Sequence, residues 1–206
     1  MKISLQNIGK RFNQNWIFRK LSYDFESGNK YAILGVNGSG KTTLLQIISG
    51  YSSISEGEVH YHNGDSKIEI DNVFKHIGYA GPYVELIEDF TLNEQLDFHY
   101  QFKNPINGTS KSELIKKLGF DNEVNKYIKD FSSGMKQRVK LSLAIMIDVP
   151  VILLDEPTTN LDAQGVEWYL KLIDEYMKDQ LLIISSNQER EYSFCEHQLK
   201  LENFKQ

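Results

Sequence analysis

The chain has 206 residues, 40% hydrophobic and 25% charged, with a formal net charge of −5. That balance suits a globular protein with a sizeable core and points away from a disordered chain or a nucleic-acid binder. One cysteine, Cys195, leaves no internal disulfide framework and suits a reducing cytoplasm, and no apolar run approaches the roughly 20 residues that span a bilayer.

Taken in chain order, residues 2–6 and 22–25 alternate apolar with polar side chains, as half-buried strands do. Residues 30–34 form a third short strand that runs into a glycine-rich stretch. Helical spacing follows over residues 42–49, with Gly50 as the stop. Residues 57–62 and 67–70 flank Asn63-Gly64, a two-residue hairpin signal. From about residue 90 the character becomes helical. Thr91 and Glu94 form a capping box opening one helix, and Ser110 caps a second that ends at Gly119. A third helix is predicted over 133–146, stopping before Pro150. Two short apolar strands, 151–154 and 181–185, enclose a helix over 166–178. No charged-then-apolar leader is seen, so a secretory signal is not expected. The reading is α/β: a phosphate-loop core with a parallel-rich sheet, an N-terminal antiparallel β portion and a helical insertion at about 90–146, all in one domain spanning 1–206.

Two motifs carry chemistry. Gly35-Val36-Asn37-Gly38-Ser39-Gly40-Lys41-Thr42 matches the phosphate-loop pattern in full, between a strand and a helix. Its glycines let successive backbone N–H groups turn toward phosphate oxygens, and the helix adds the positive end of its dipole. Lys41 would neutralise the β and γ phosphates, and the Thr42 hydroxyl would hold Mg²⁺. Thr43 continues the nucleotide-binding set. A glycine-rich turn with an incidental Lys-Thr is the bland alternative. The second motif, Val151-Ile152-Leu153-Leu154-Asp155-Glu156-Pro157, reads as a buried strand that delivers Asp155 toward Mg²⁺. Glu156 then stands as general base for the attacking water. Alone such a run is often only a strand end; behind a phosphate loop it gains meaning.

Phe131-Ser132-Ser133-Gly134-Met135, trailed by Lys136-Gln137-Arg138, resembles the ABC signature, at the family's usual interval before Asp155. Thr158-Thr159-Asn160-Leu161-Asp162 is similar to the D-loop. Phe12 matches the aromatic that stacks on adenine, with Trp16 in reserve. The resemblance to ABC ATPases covers essentially the whole chain. It implies an ATP-binding and ATP-hydrolysing transporter subunit, with ATP and Mg²⁺ clamped between two copies or between this chain and a related ATPase subunit. Ser132 and Gly134 would face the other copy's γ-phosphate. Stacking on Phe12 would contribute roughly 1–3 kcal/mol. The implied place is the cytoplasm, peripheral at the inner face of the membrane, through a separate transmembrane subunit.

Two departures stand out. Pro82 occupies the position of the Mg-contacting glutamine, and proline offers neither a side-chain oxygen nor an N–H. Asn187 occupies the position of the switch histidine; an amide can hydrogen-bond phosphate but cannot carry a proton. Binding and hydrolysis are expected to persist, with the rate in question. A non-transporter ABC clamp and an ATP-holding regulatory module are the other readings. The resemblance implies that segment 83–90 forms the groove for the membrane subunit, its apolar residues anchoring and Glu85, Glu88 and Asp89 selecting a basic helix; the other reading is that Leu86, Ile87 and Phe90 pack in the core and the acids are solvated.

Overall fold

The computed structural model describes residues 1–205. In chain order its elements are β1 (Lys2–Phe12), β2 (Asn15–Glu26), β3 (Lys30–Leu34), α1 (Lys41–Ile48), β4 (Glu56–Asn63), β5 (Ser66–Ile68), α2 (Ile70–Val73) and β6 (Ile77–Ala80). There follow α3 (Leu92–Tyr100), α4 (Lys111–Leu118), α5 (Ser133–Ile145), β7 (Val151–Asp155), α6 (Ala163–Tyr176), β8 (Leu181–Ser185), α7 (Glu189–Tyr192) and β9 (His197–Lys200). The strands form two sheets. One is antiparallel in the order β2-β1-β4-β5, and the other is five-stranded in the order β6-β7-β8-β3-β9. Every pair in the second is parallel. The α/β class, with its N-terminal antiparallel sheet and parallel sheet, is as the sequence predicts.

Several boundaries differ. The first two strands run through residues 12 and 15 as one long hairpin, where the alternation implied only 2–6 and 22–25. Register shifts between Leu5 and Ile8, Ile8 and Lys10, and Lys10 and Arg11 break the period-two pattern midway, as bulges do. The second hairpin turns one residue later than predicted. Asn63 pairs with Ser66, so Gly64 and Asp65 form the turn and Ile70 opens α2. The last long helix starts earlier, at Ala163, because the Asp162 side chain caps it by accepting from the Gly165 N–H at 2.7 Å.

The capping box forms as predicted at Thr91/Glu94, and Ser110 caps α4 as predicted, completing a second box with Glu113 that the sequence reading does not name. Reciprocal bonds of this kind satisfy helix N–H groups that otherwise lack partners. Gly119 closes α4 in the left-handed conformation, φ 72.

Strand β7 explains why its sequence is apolar without alternation. Val151 and Leu153 face the layer containing Leu44, Leu45, Phe18 and Ile3. Ile152 and Leu154 face the opposite layer, with Leu141, Ile145, Tyr169 and Ile173. All four are fully buried, as expected of a parallel sheet covered on both faces. Each such side chain contributes about 1.5–3 kcal/mol relative to exposure. Helix α5 lies so close to β6 that a Cβ on Gly78 would sit 2.2 Å from the Ala144 carbonyl oxygen. Only glycine admits that approach.

Candidate nucleotide site

The order β7-β8-β3 places the carboxyl ends of three adjacent parallel strands together, the position where open α/β sheets bind ligands. The glycine-rich loop leaves β3 there and enters α1. Gly40 precedes the helix with φ 101, and a Cβ at that position would lie 2.3 Å from Ile17 Cγ2. No side chain caps α1, so its first N–H groups stay open to an anion. Lys41 is buried and folds back along the loop, its Nζ donating to the Gly35 carbonyl at 2.7 Å. Ser39 is fully buried and turned under the loop; a Cβ on Gly35 would lie 2.5 Å from its hydroxyl.

Asp155 ends β7 nearly inaccessible to solvent. The Thr42 hydroxyl donates to its Oδ2 at 2.6 Å, and the Ser185 hydroxyl donates to its Oδ1 at 2.7 Å. Among the described residues no group of three or more His, Cys, Asp or Glu could hold a metal. The Thr42 and Asp155 oxygens nonetheless fit Mg²⁺, a hard cation that takes one or two protein oxygens plus substrate phosphates and water. Glu156 follows in the left-handed region, φ 48, held by its N–H donating to the Ser185 carbonyl at 2.8 Å. A bulky residue there costs on the order of 1–3 kcal/mol, and such strain gathers at functional positions.

A cleft of about 880 Å³ opens over this floor, lined by Asn37, Gly38, Gly40, Lys41, Thr42, Thr43 and Glu156. Ile17, Gln46, Tyr51, Tyr79 and Tyr83 also line it; none was singled out from sequence. Tyr79 was detectable in principle, since it sits in β6 opposite Leu153, on the face toward α1. Burial pushes its phenol well above the usual range, with Asp155 and Tyr83 adding to the effect. Its hydroxyl has no partner among the described residues.

The remaining candidates sit around the cleft. Asn187 donates its amide to Asn37 Oδ1 at 2.8 Å, which joins the end of β8 to the phosphate loop. Pro82 is the second residue of a tight turn that begins at Gly81, in which the Val84 N–H donates to the Gly81 carbonyl at 3.1 Å; proline suits that position. Phe12 ends β1 half exposed with Lys10 over its ring at 5.0 Å, and it does not line the cleft in this conformation. Trp16, the reserve aromatic, already carries the Arg19 guanidinium over its ring at 4.3 Å. Ser132 caps α5, accepting from the Met135 N–H at 3.2 Å, and is exposed outside this cleft. Gly134 packs beside the D-loop-like segment, where a Cβ would lie 3.0 Å from the Asn160 carbonyl oxygen.

Two further ties went unforeseen. The Gln137 side chain donates to the Pro157 carbonyl at 2.8 Å, linking α5 to the loop after Glu156. The Val36 N–H donates to Glu202 Oε1 at 2.9 Å. Glu202's own N–H and that of Val36 hold its carboxyl below the usual range.

A phosphate loop at the end of β3, with Thr42, Asp155 and Glu156 converging on one cleft, defines a nucleotide-binding P-loop protein. Comparison with known families narrows this: a family model described as ABC transporter matches residues 18–159, and the chain belongs to that family. An ATP-binding protein of Staphylococcus aureus (strain N315) named for hemin import, HrtA, is 28% identical over 217 aligned positions, covering 100% of this chain and 97% of its own. Among solved structures, a Pyrococcus furiosus protein described as an ABC transporter ATP-binding protein superposes with a TM-score of 0.81 at 25% identity, covering 100% of both chains. The ABC transporter cassette MJ0796, solved as a dimer, superposes at 0.79 and 24% identity, over 97% of this chain and 94% of that one. No helix among the described residues is long and apolar enough to cross a membrane.

Proposed function

We propose that this chain binds and hydrolyses ATP as one half of a nucleotide-sandwich dimer, and so drives a separate membrane-spanning transporter subunit. The observation that carries the reading is the convergence of Lys41, Thr42, Asp155 and Glu156 at the carboxyl ends of β3 and β7. Lys41 neutralises the β and γ phosphates as it leaves the Gly35 carbonyl. Thr42 and Asp155 hold Mg²⁺, which supplies charge neutralisation of the phosphates when bound. Glu156 orients the attacking water and accepts its proton. Asn187 reaches the γ-phosphate with an amide hydrogen bond, without a transferable proton.

The dimer follows from what one chain lacks. Ser132 stands outside its own cleft at the N-terminus of α5, so a second copy, or a related subunit, brings that end to the phosphate loop in a two-fold arrangement. Relatives named for import and a cassette solved as a dimer support both halves of this reading. The ATPase occupies one domain over residues 1–206, with residues 90–146 as its helical insertion, at the cytoplasmic side of the membrane. Docking of the membrane subunit falls on segment 83–90, through exposed Tyr83 and Ile87. Leu86 belongs to the core, and Glu88 and Asp89 already pair with Lys136 at 2.6 Å and Lys129 at 3.5 Å. Those acids therefore brace the segment against the signature region and are not free to select a basic partner alone.

The test is phosphate release from purified protein with ATP, with Mg²⁺ and after chelation. Hydrolysis that stops on chelation is expected, and absence of any hydrolysis overturns the reading. Co-purification from native membranes identifies the membrane subunit.

A further inference from the structure

Glu191 is a fully buried acid in α7 and does not line the nucleotide cleft. Its surroundings are specific. Oε1 accepts from both the Thr158 N–H, at 3.0 Å, and the Thr158 hydroxyl; Oε2 accepts from the Ser186 hydroxyl. All three partners donate, the pattern an acceptor-only group takes. Its backbone carbonyl accepts from the buried Tyr169 hydroxyl at 3.1 Å, which anchors α7 to α6.

The two segments joined here are the ones that bear on the γ-phosphate. Thr158 lies two residues after Glu156, and Ser186 immediately precedes Asn187. The left-handed Glu156 donates its N–H to the Ser185 carbonyl and accepts from the Thr159 N–H, and the next residue's carbonyl accepts from Gln137.

We propose that Glu191 is a positioning residue. Its buried carboxyl group clasps the loop carrying Glu156 to the strand end carrying Asn187, so that the two take up their geometry as one unit. The inference rests on the reading of this chain as an ATPase for its catalytic consequence, and on the hydrogen bonds alone for its structural one. A buried carboxyl group with three donors is costly to strip, because each abandoned donor keeps its desolvation penalty. Removing the clasp therefore loosens both segments, and reaches the phosphate loop only through the Asn187–Asn37 bond, since Glu191 makes no hydrogen bond to that loop among the described residues.

The experiment combines hydrogen exchange of the ligand-free protein with steady-state ATP hydrolysis. For Glu191→Ala, exchange quickens in residues 156–161 and 185–188 together. Its kcat falls on the order of 10- to 100-fold while KM for ATP stays within about twofold, because misplacement of reacting groups is felt in the chemical step. Glu191→Gln restores most of both, since its amide oxygen serves Thr158 and the Ser186 hydroxyl turns to accept from its amide nitrogen. Ser186→Ala removes one hydroxyl without emptying the core. It quickens exchange at 185–188 and lowers kcat, which decides the matter should Glu191→Ala fail to fold. The clasp is overturned if exchange changes in neither segment or in only one of them for Glu191→Ala. It is equally overturned if kcat is unchanged, or if Gln behaves as Ala does. A parent protein without ATPase activity overturns the functional reading instead, and the exchange data alone then decide the clasp.

Discussion

The Asn187 amide donates to Asn37 Oδ1 at 2.8 Å, so the end of β8 is tied to the phosphate loop across the mouth of the site. On the proposed function, ATP would compete with this bond to recruit Asn187 to the γ-phosphate. Asn187→His replaces an amide with a group able to carry charge and a proton at neutral pH. Its ATPase rate should exceed the parent's by roughly 10-fold, the low end of general acid–base effects (about 10²–10⁴) once partial compensation by the amide is allowed for. Phosphate-release kinetics at saturating ATP check this; an unchanged rate means that the amide already suffices.

Division of labour within the cleft is testable by three substitutions. Lys41→Ala should weaken ATP binding by roughly 10- to 100-fold, the worth of a charge-assisted hydrogen bond. Glu156→Gln should leave the ATP Kd unchanged and lower kcat by about 10²–10⁴. Thr42→Val should weaken the apparent Mg²⁺ affinity about tenfold while ADP binding in chelator stays at the parent level. Calorimetric titration separates these cases; a Glu156→Gln protein turning over at the parent rate removes Glu156 from the role of base.

On the proposed sandwich, assembly should follow nucleotide. Glu156→Gln with Mg-ATP should sediment as a dimer and return to monomer when nucleotide is withdrawn. Adding Ser132→Arg should abolish the dimer by placing a bulky cation at the γ-phosphate contact. Identical sedimentation with and without ATP in Glu156→Gln would falsify the sandwich.

Alkaline stability offers a test remote from the site. Burial pushes the Cys195 thiol up to about 12 from 9.0. The unfolded chain therefore ionises this thiol first. The contribution is fully present below about pH 9 and is lost as pH rises toward 12. The slope is about 1.4 kcal/mol per pH unit for one such group. Cys195→Ala should be less stable at pH 7 but should lose less stability between pH 8 and pH 10.5, judged by urea midpoints. Equal losses in both proteins would remove Cys195 from the account.

Much of the site was legible because its motifs are local. The phosphate loop, the strand delivering Asp155 and the start of α5 at residue 133 each need only a few consecutive residues, whose backbone geometry is set locally. What escaped was tertiary. Tyr79 and Tyr83 reach the cleft only once β6 has paired with β7. Gly78 counts against a strand in sequence, yet its presence is what lets α5 lie on β6. Strand β9, edge-placed and largely exposed, carries no apolar signal. The middle of the first hairpin was hidden by bulges and by left-handed Asn7 and Lys20, φ 48 and 57. Glu191 was silent for another reason. Its partners come from two other segments, and an acid four residues after Asn187 looks like any solvated helix face until the chain closes over it.

The missing Cβ of Gly78 has a mechanical corollary. Side chains between a helix and a sheet act as a cushion, since rotamers can shift while backbones stay still. At Gly78 the helix carbonyl of Ala144 meets strand backbone with nothing compressible between them. A tilt of α5, whose far end is the Ser132 cap, would press directly on β6, four residues before the turn at Pro82. On the proposed sandwich, this contact would carry a displacement of the Ser132 end of α5 to the rim of the cleft without a glutamine at position 82.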